Sequence, residues 1–260
     1  MIFALTLFIL GAIIGSFLNV VILRLGTGVS IVSGRSKCFS CGHALVWYDL
    51  VPFFSYIALG RKCRYCGSKI SARYFAVELA TAVLFSATAF YGIPLTFLGL
   101  IFLLLSLVII SFFVAIAFYD FRHKIIPDVL SYGAAICALL FSVLVIISGG
   151  ATWWRLLSGI IVALPFFFFW LVSKGSWMGL GDAKLSLSIG WWLGISLSLG
   201  ALISAIFSGA IFGIGIMIAE KIRTGAVKWG RHEIPFGPFL ILGALISYFF
   251  GISIYAFIRL

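Results

Sequence analysis

The sequence predicts an all-α polytopic membrane protein of about eight transmembrane helices, with one small polar domain between the first and second. Three observations carry this prediction. The 260 residues are 63% hydrophobic and 10% charged, with mean hydropathy +1.25. A soluble domain carries about 25% charged residues, so there is too little polar side chain here to coat a globule in water, and lipid must be the solvent for most of the chain. The charged residues divide the sequence into apolar runs of membrane-crossing length. Those runs, taken as passes, leave 16 of the 18 Lys and Arg on one side, the asymmetry expected of cytoplasmic loops.

The elements follow in order. Residues 1–23 are uncharged and Arg24 is the first charged side chain. A cleavable signal peptide has its basic residues before the apolar stretch, so 1–23 reads as a retained first helix with its N-terminus outside. Residues 24–73 hold eight Lys and Arg and four of the five cysteines, and read as a small polar domain. No charge occurs between Glu78 and Asp120, too long a run for one pass. Tyr91-Gly92-Ile93-Pro94 offers the break, because the residue before a proline is disfavoured in helix, giving passes over 74–91 and 95–118. Residues 129–148 and 155–173 are the fourth and fifth, and the run Phe166 to Trp170 suits a lipid-facing surface. The charge-free run from Lys184 to Glu220 contains Gly190, Gly194 and Gly200 and fits two passes joined by a tight turn, the first of them short. Residues 236–258 are the eighth. Everything from 74 to 260 forms one membrane domain.

This layout puts 24–73, 119–127, 174–184 and 220–235 on the basic side, leaving only Arg155 and Arg259 opposite. That side is cytosolic and the chain is expected in a cytoplasmic membrane. The formal net charge of +11 reads as attraction to an anionic membrane. No arginine-rich arm or aromatic-interleaved basic face is present, which excludes a nucleic-acid partner. No internal repeat stands out. Gly209, Gly213 and Gly215 suggest close helix packing and set no oligomeric state.

The polar domain carries the pattern C-x2-C-x21-C-x2-C: Cys38, Cys41, Cys63 and Cys66, each pair followed by glycine (Gly42, Gly67). Four thiolates at this spacing close a tetrahedral Zn²⁺ site, on a side where disulfides are disfavoured, and a small segment with few core residues needs such a staple. The alternative is a pair of redox-active C-x-x-C motifs. With all four positions taken by Cys, the zinc would be structural. His43 reads as a solvated turn residue, and Cys137, alone in an apolar run, as a small core residue.

Seven acidic residues are present, and acids at membrane depth are costly and usually functional. Asp49, Glu220 and Glu233 read as surface ion pairs, and Asp128, after Pro127, as a helix N-cap. Asp120 ends the third pass and Asp182 begins the sixth, within Gly179-Leu180-Gly181-Asp182. Both fall at the cytosolic ends of their helices and can face each other. Two carboxyls sharing a site retain one proton between them; the ionised member activates water and the protonated one polarises a carbonyl. Gly179 and Gly181 let backbone approach a substrate strand. The alternative pairs Asp120 with Arg122 and Asp182 with Lys184 as interfacial caps, and from these residues alone neither reading is preferred.

Taken together, the motifs resemble the type IV prepilin peptidases, the prepilin leader peptidase/N-methyltransferases. The resemblance rests on Gly15-Ser16-Phe17-Leu18-Asn19, the double-cysteine block around Trp47-Tyr48-Asp49-Leu50-Val51-Pro52, Ile70-Ser71-Ala72-Arg73-Tyr74 with Glu78-Leu79, Asp120 with Ile126-Pro127-Asp128, Met178 to Leu185, and Ile234-Pro235-Phe236-Gly237-Pro238-Phe239. Phe39 departs from the proline usual after the first cysteine. The resemblance implies an aspartyl protease that removes the basic leader of type IV prepilins or pseudopilins after a glycine, and methylates the new N-terminus with S-adenosylmethionine. It places the catalytic aspartates at Asp120 and Asp182, associates the cysteine domain with methyl transfer, and puts Glu78 forward on the methyl-donor side. A peptidase without methyl transfer, or a non-enzymatic zinc-containing scaffold or transporter, are the other classes. Transport sites lie near the bilayer midplane, whereas the acids here cluster at one interface.

Overall fold

The computed structural model describes residues 1–90, 96–224 and 235–255, and among them the protein is helical, with no β-structure beyond two isolated bridges. The helices are α1 (Ile2–Arg24), α2 (Phe54–Ala58), α3 (Ala72–Thr88), α4 (Phe97–His123), α5 (Asp128–Ile147), α6 (Leu157–Ser173), α7 (Leu180–Leu193), α8 (Ile195–Thr224) and α9 (Gly237–Phe250). Five helical stretches are long and apolar enough to cross a membrane: Ile2–Arg24, Phe97–His123, Asp128–Ile147, Trp153–Ser173 and Ile195–Ile222. The protein is thus a multi-pass membrane protein. Helices also occupy the other expected passes, but α3 has 17 residues and α7 and α9 have 14 each. At about 1.5 Å per residue they fall short of a ~30 Å core, so the number of crossings is not eight by length alone. The expected break at Tyr91 to Pro94 lies outside the described residues, as do Glu233 and Arg259.

The chain divides into two compact units, Met1–Phe118 and Tyr119–Leu260. In the first, α1 and α3 pack along their length. Gly11 and Gly15, four apart on one face, make this possible: a Cβ on Gly11 would stand 2.7 Å from the Thr81 carbonyl oxygen, and one on Gly15 2.7 Å from Glu78 Cα. Small residues at this spacing are how membrane helices bring their backbones together. Ser71 caps α3 by accepting from the Arg73 N–H, and the Asn19 amide donates to the Tyr74 carbonyl at 3.0 Å.

The cysteine domain contains a repeat that the sequence reading did not register. The Cys38 and Gly42 N–H groups donate to the His43 and Cys38 carbonyls; 25 residues on, Cys63 and Gly67 donate to Ser68 and Cys63. Leu45 to Ser36 and Ile70 to Arg61 repeat in the same register, as do the bridges Lys37–Ala44 and Lys62–Lys69. Gly42 (φ +72°) and Gly67 (φ +71°) take the left-handed turn in each copy. The two knuckles share Lys-Cys-x-x-Cys-Gly, a repeat too short to stand out before its hydrogen bonds are known.

In the second unit α7 is central, packed on α5, α6 and α9, with Trp192, Leu185 and Ile189 fully buried. α6 and α7 touch at Gly159 and Gly190, where a Cβ on Gly190 would lie 2.5 Å from Gly159 Cα. Gly194 (φ +77°) makes the tight turn into α8. At that end Arg155 donates to the Trp192 carbonyl (2.9 Å) and to Ser142 Oγ (3.2 Å), a cation on carbonyls that a helix C-terminus leaves open. The close approach expected of the α8 glycines is not made at Gly209 or Gly215. Gly200 and Gly243 meet backbone of neighbouring residues, while Gly209 faces the Phe239 ring at ordinary contact and Gly215 nothing. Phe167, Phe168 and Phe169 are exposed, as a lipid-facing run requires, but Phe166 is buried beside Phe236. Cys137 is half-buried rather than in the core.

Candidate active site and metal centre

Asp120 lies in the last turn of α4, and Lys124, just beyond that helix, sets the direction of the segment that follows. Lys124 adopts φ +55° and returns its N–H to the Asp120 carbonyl at 2.8 Å. This left-handed turn ends α4 and swings Ile125-Ile126-Pro127 back over it. Ile126 then packs against Gly181: a Cβ there would sit 2.8 Å from Ile126 Cβ. On its other side Ile126 reaches Gly237 at the start of α9, where an added Cβ would be 3.1 Å from Ile126 Cδ1 and 2.6 Å from Asp120 Oδ2. The Gly237 N–H turns to the Asp120 carboxyl.

Asp182, in the first turn of α7, is close enough to Asp120 for their charges to interact. The two aspartates are thus brought together from separate helices. Asp120 is buried (4% exposed), and among the described residues neither carboxyl is ion-paired with a basic side chain. The alternative pairs with Arg122 and Lys184 fail for a geometric reason: residues two apart on a helix do not face each other. Lys184 instead donates to Asp128 Oδ1 at 2.7 Å and lies 4.8 Å over the Tyr132 ring. Asp128 is correspondingly not a cap. Pro127 holds the N-cap position without a side-chain bond, and Asp128 opens α5 itself, where a carboxylate meets the positive end of the helix dipole. A buried carboxyl with no cation is costly, and such groups in membrane proteins mark functional sites.

Gly179, the N-cap of α7, is exposed, with only Gly181 N within 4 Å of where a Cβ would stand. Gly181 differs, its missing side chain being filled by Ile126. The sequence reading assigned no part to Ile126 or Gly237, although both lie within motif blocks. Gly237 between Pro235 and Pro238 signalled a helix start; only the folded chain sets it against Asp120.

The four cysteines converge. One ligand atom from each of Cys38, Cys41, Cys63 and Cys66 lies within 4.8 Å of the others, with Cys38 and Cys66 Sγ 3.8 Å apart. Zn–S bonds of about 2.3 Å in a tetrahedron put sulfurs about 3.8 Å apart, so the cluster has the dimensions of a Zn²⁺ site. Backbone N–H groups of Cys41 and Ser40 turn to Cys38 and bring its thiol down to about 6, and Ser68 lowers Cys66. Both effects favour the thiolate at these two positions, whereas at Cys41 the lowering by a backbone hydrogen bond from His43 is outweighed by desolvation and the neighbouring Cys38 and Cys66, which push its thiol up to about 11. His43 stays outside the cluster and packs against Tyr65, ring centroids 3.7 Å apart and the planes tilted by 31°. Asp49 pairs with Arg64 at 2.8 Å, but its side chain is 3% exposed, so it is a buried link to the second knuckle, where the Tyr65 hydroxyl also reaches it, rather than a surface pair. The Glu78 carboxylate is 25 residues beyond Phe53 and accepts its N–H at 3.0 Å.

Comparison with known proteins is consistent along the chain. Residues 9–91 match the model of the bacterial peptidase A24 N-terminal domain, and residues 107–214 that of the type IV leader peptidase family. The chain is similar to the prepilin leader peptidase/N-methyltransferase of Myxococcus xanthus, 36% identical over 243 residues that cover 90% of this chain and 69% of the relative. With that of Bacillus subtilis it shares 30% identity over 262 residues, 96% of each chain. With that of Aeromonas hydrophila it shares 31% over 273 residues, 95% of this chain and 90% of the relative. No solved structure matches it.

Proposed function

The chain belongs to the prepilin leader peptidase/N-methyltransferase family, and on that premise we propose that it is a bifunctional membrane enzyme that cleaves the leader from type IV prepilins or pseudopilins and N-methylates the new N-terminus. The observation that supports the cleavage half is that Asp120 and Asp182, from separate helices, stand close enough for their charges to interact, with no basic side chain paired to either among the described residues. One carboxylate takes a proton from water as its oxygen attacks the scissile carbonyl; the other donates its proton to the carbonyl oxygen. The tetrahedral gem-diol collapses: the C–N bond breaks, the leaving amine takes up the proton held by the first aspartate, and a hydroxyl proton returns to the second, which restores the pair. Gly179, exposed beside Asp182, is the proposed approach for the substrate backbone.

In the methylating half S-adenosylmethionine would supply an electrophilic methyl group to the freed amine and leave as S-adenosylhomocysteine, the displaced amine proton passing to water. Support for this half comes from the family; Glu78 is its sequence candidate, on resemblance alone. The proposed layout follows the charge asymmetry: residues 1–23 as the first pass with the N-terminus outside, 24–73 as a cytosolic domain, 74–260 as a membrane domain, eight passes in all, in a bacterial inner membrane. A prepilin's apolar helix would then lie in lipid with its basic leader in the cytosol, which brings the scissile bond to the level of the aspartates.

A structural Zn²⁺ held by Cys38, Cys41, Cys63 and Cys66 is part of the proposal. Purified protein is expected to hold stoichiometric zinc by elemental analysis, and Cys38→Ser to lose it together with protease resistance of residues 35–70. A metal-free protein with that region intact would refute the site.

The test of the whole reading is incubation of the purified protein in vesicles with a prepilin peptide and methyl-labelled S-adenosylmethionine. Loss of the leader mass together with label on the new N-terminus is expected. Cleavage without label would leave a peptidase only, and the absence of both cleavage and label would overturn the assignment.

A further inference from the structure

Residues 50–60 of the cysteine domain carry no charge: Leu-Val-Pro-Phe-Phe-Ser-Tyr-Ile-Ala-Leu-Gly lies between Asp49 and Arg61. An apolar run of this length is too short to cross a bilayer and is of the kind found in re-entrant or interfacial segments. We infer that residues 50–60 form a re-entrant segment that enters the lipid beside α1 and is held at depth by Glu78. This inference concerns the first unit alone and is independent of the cleavage reading.

The depth can be read along α1. Gly15 lies against Glu78 Cα, nine residues before Arg24, or about 13 Å at ~1.5 Å per residue. Arg24 marks the polar boundary, its guanidinium donating to the Ser30, Ser33 and Arg35 carbonyls. The Phe53 N–H donates to Glu78, so this backbone sits well inside that boundary. Deeper still, Val51, Pro52 and Phe53 line one groove with Phe8, Ile9, Ala12 and Ile13 of α1, and the Phe8 and Phe53 ring centroids are 5.8 Å apart. Tyr56 stacks on Phe75 of α3.

Broken backbone at membrane depth is tolerated only where its polar groups are satisfied by protein. Phe53 is where the backbone breaks: it precedes α2 at φ +60°, and while the Phe54 and Ser55 N–H groups donate to the Pro52 and Val51 carbonyls, its own N–H needs an acceptor from elsewhere. The Glu78 carboxylate, 9% exposed, accepts the Phe53 N–H and is also reached by the Ser16 hydroxyl. The buried acid is thereby accounted for as an anchor. Outward from the segment, Phe54 is 71% and Ile57 68% exposed, continuous with exposed Ile9 and Ile13 on the lipid face of α1. That continuity assigns the covering partner: lipid acyl chains, as along the exposed face of α1.

The test places p-benzoylphenylalanine at position 54 or 57 of the full-length protein in phospholipid vesicles, with positions 13 and 39 as references. Irradiation is expected to give lipid adducts at 54 and 57, as at 13, and none at 39 in the first knuckle. Absence of lipid adducts at 54 and 57 while 13 reacts would overturn the inference, as would their replacement by adducts to an added prepilin peptide. With the probe at 54, Glu78→Ala is expected to cut the lipid adduct about tenfold, from one buried N–H left unpaired, and Glu78→Gln, which keeps an acceptor, to retain it. Should Glu78→Ala fail to accumulate, the adducts in the unsubstituted background decide the matter.

Discussion

Asp120→Asn and Asp182→Asn are each expected to abolish leader removal while the protein still inserts and keeps its zinc. Asparagine has nearly the volume of aspartate, so the packing of Asp120 against Gly237 and of α7 against α5 and α6 is undisturbed. What disappears is the exchangeable proton. A positioned acid or base contributes about 10²–10⁴-fold to rate, and here both roles are shared by one pair, so each variant should lose at least that much. Residues that act as a unit are not additive, so the double variant should fall no further than either single one. Cleavage is read by mass change of a prepilin peptide. A precleaved peptide should still accept labelled methyl from both variants, which separates loss of chemistry from loss of fold. Robust cleavage by either variant would remove the dyad.

Gly237→Ala should produce the next largest effect. The new Cβ would stand 2.6 Å from Asp120 Oδ2 and 3.1 Å from Ile126 Cδ1, so the carboxyl must move. A misplacement of about 1 Å can cost about 10²-fold in rate, and that is the expected loss in cleavage. The helix itself should not suffer, because alanine is a better helix former than glycine by about 1 kcal/mol. Gly215→Ala, the same change in α8 where nothing lies within 4 Å, serves as the control and should cleave normally. Equal activity of the two variants would mean that the Asp120 carboxyl is not held by α9.

The sequence determined a good deal of this protein. Lipid is the only solvent that suits a chain with so few charges, and within it backbone groups must pair internally, which makes helices the spanning element. Charge-free run lengths located those helices and called for a turn within the run from Lys184 to Glu220, while the structure decided that Gly194, among three glycines there, makes it. The rarity of acids made Asp120 and Asp182 candidates, because a carboxyl at membrane depth is costly, though only the resemblance preferred a shared site over helix caps, and the cysteine spacing made the four thiols a candidate metal site. The residues involved are few and chemically distinctive, so their pattern survives reading in one dimension.

The tertiary structure decided everything that depends on distance between parts remote in sequence. It turned Lys184 toward Asp128 instead of Asp182, because side chains two apart on a helix diverge. It set Ile126 between Gly181 and Gly237, and so explained why those two positions lack side chains. It drew Glu78 onto the Phe53 backbone, a pairing across 25 residues that no periodicity announces. Glycine and isoleucine are common in membrane helices and carry no signal of their own; which of them matter is fixed only when the helices pack.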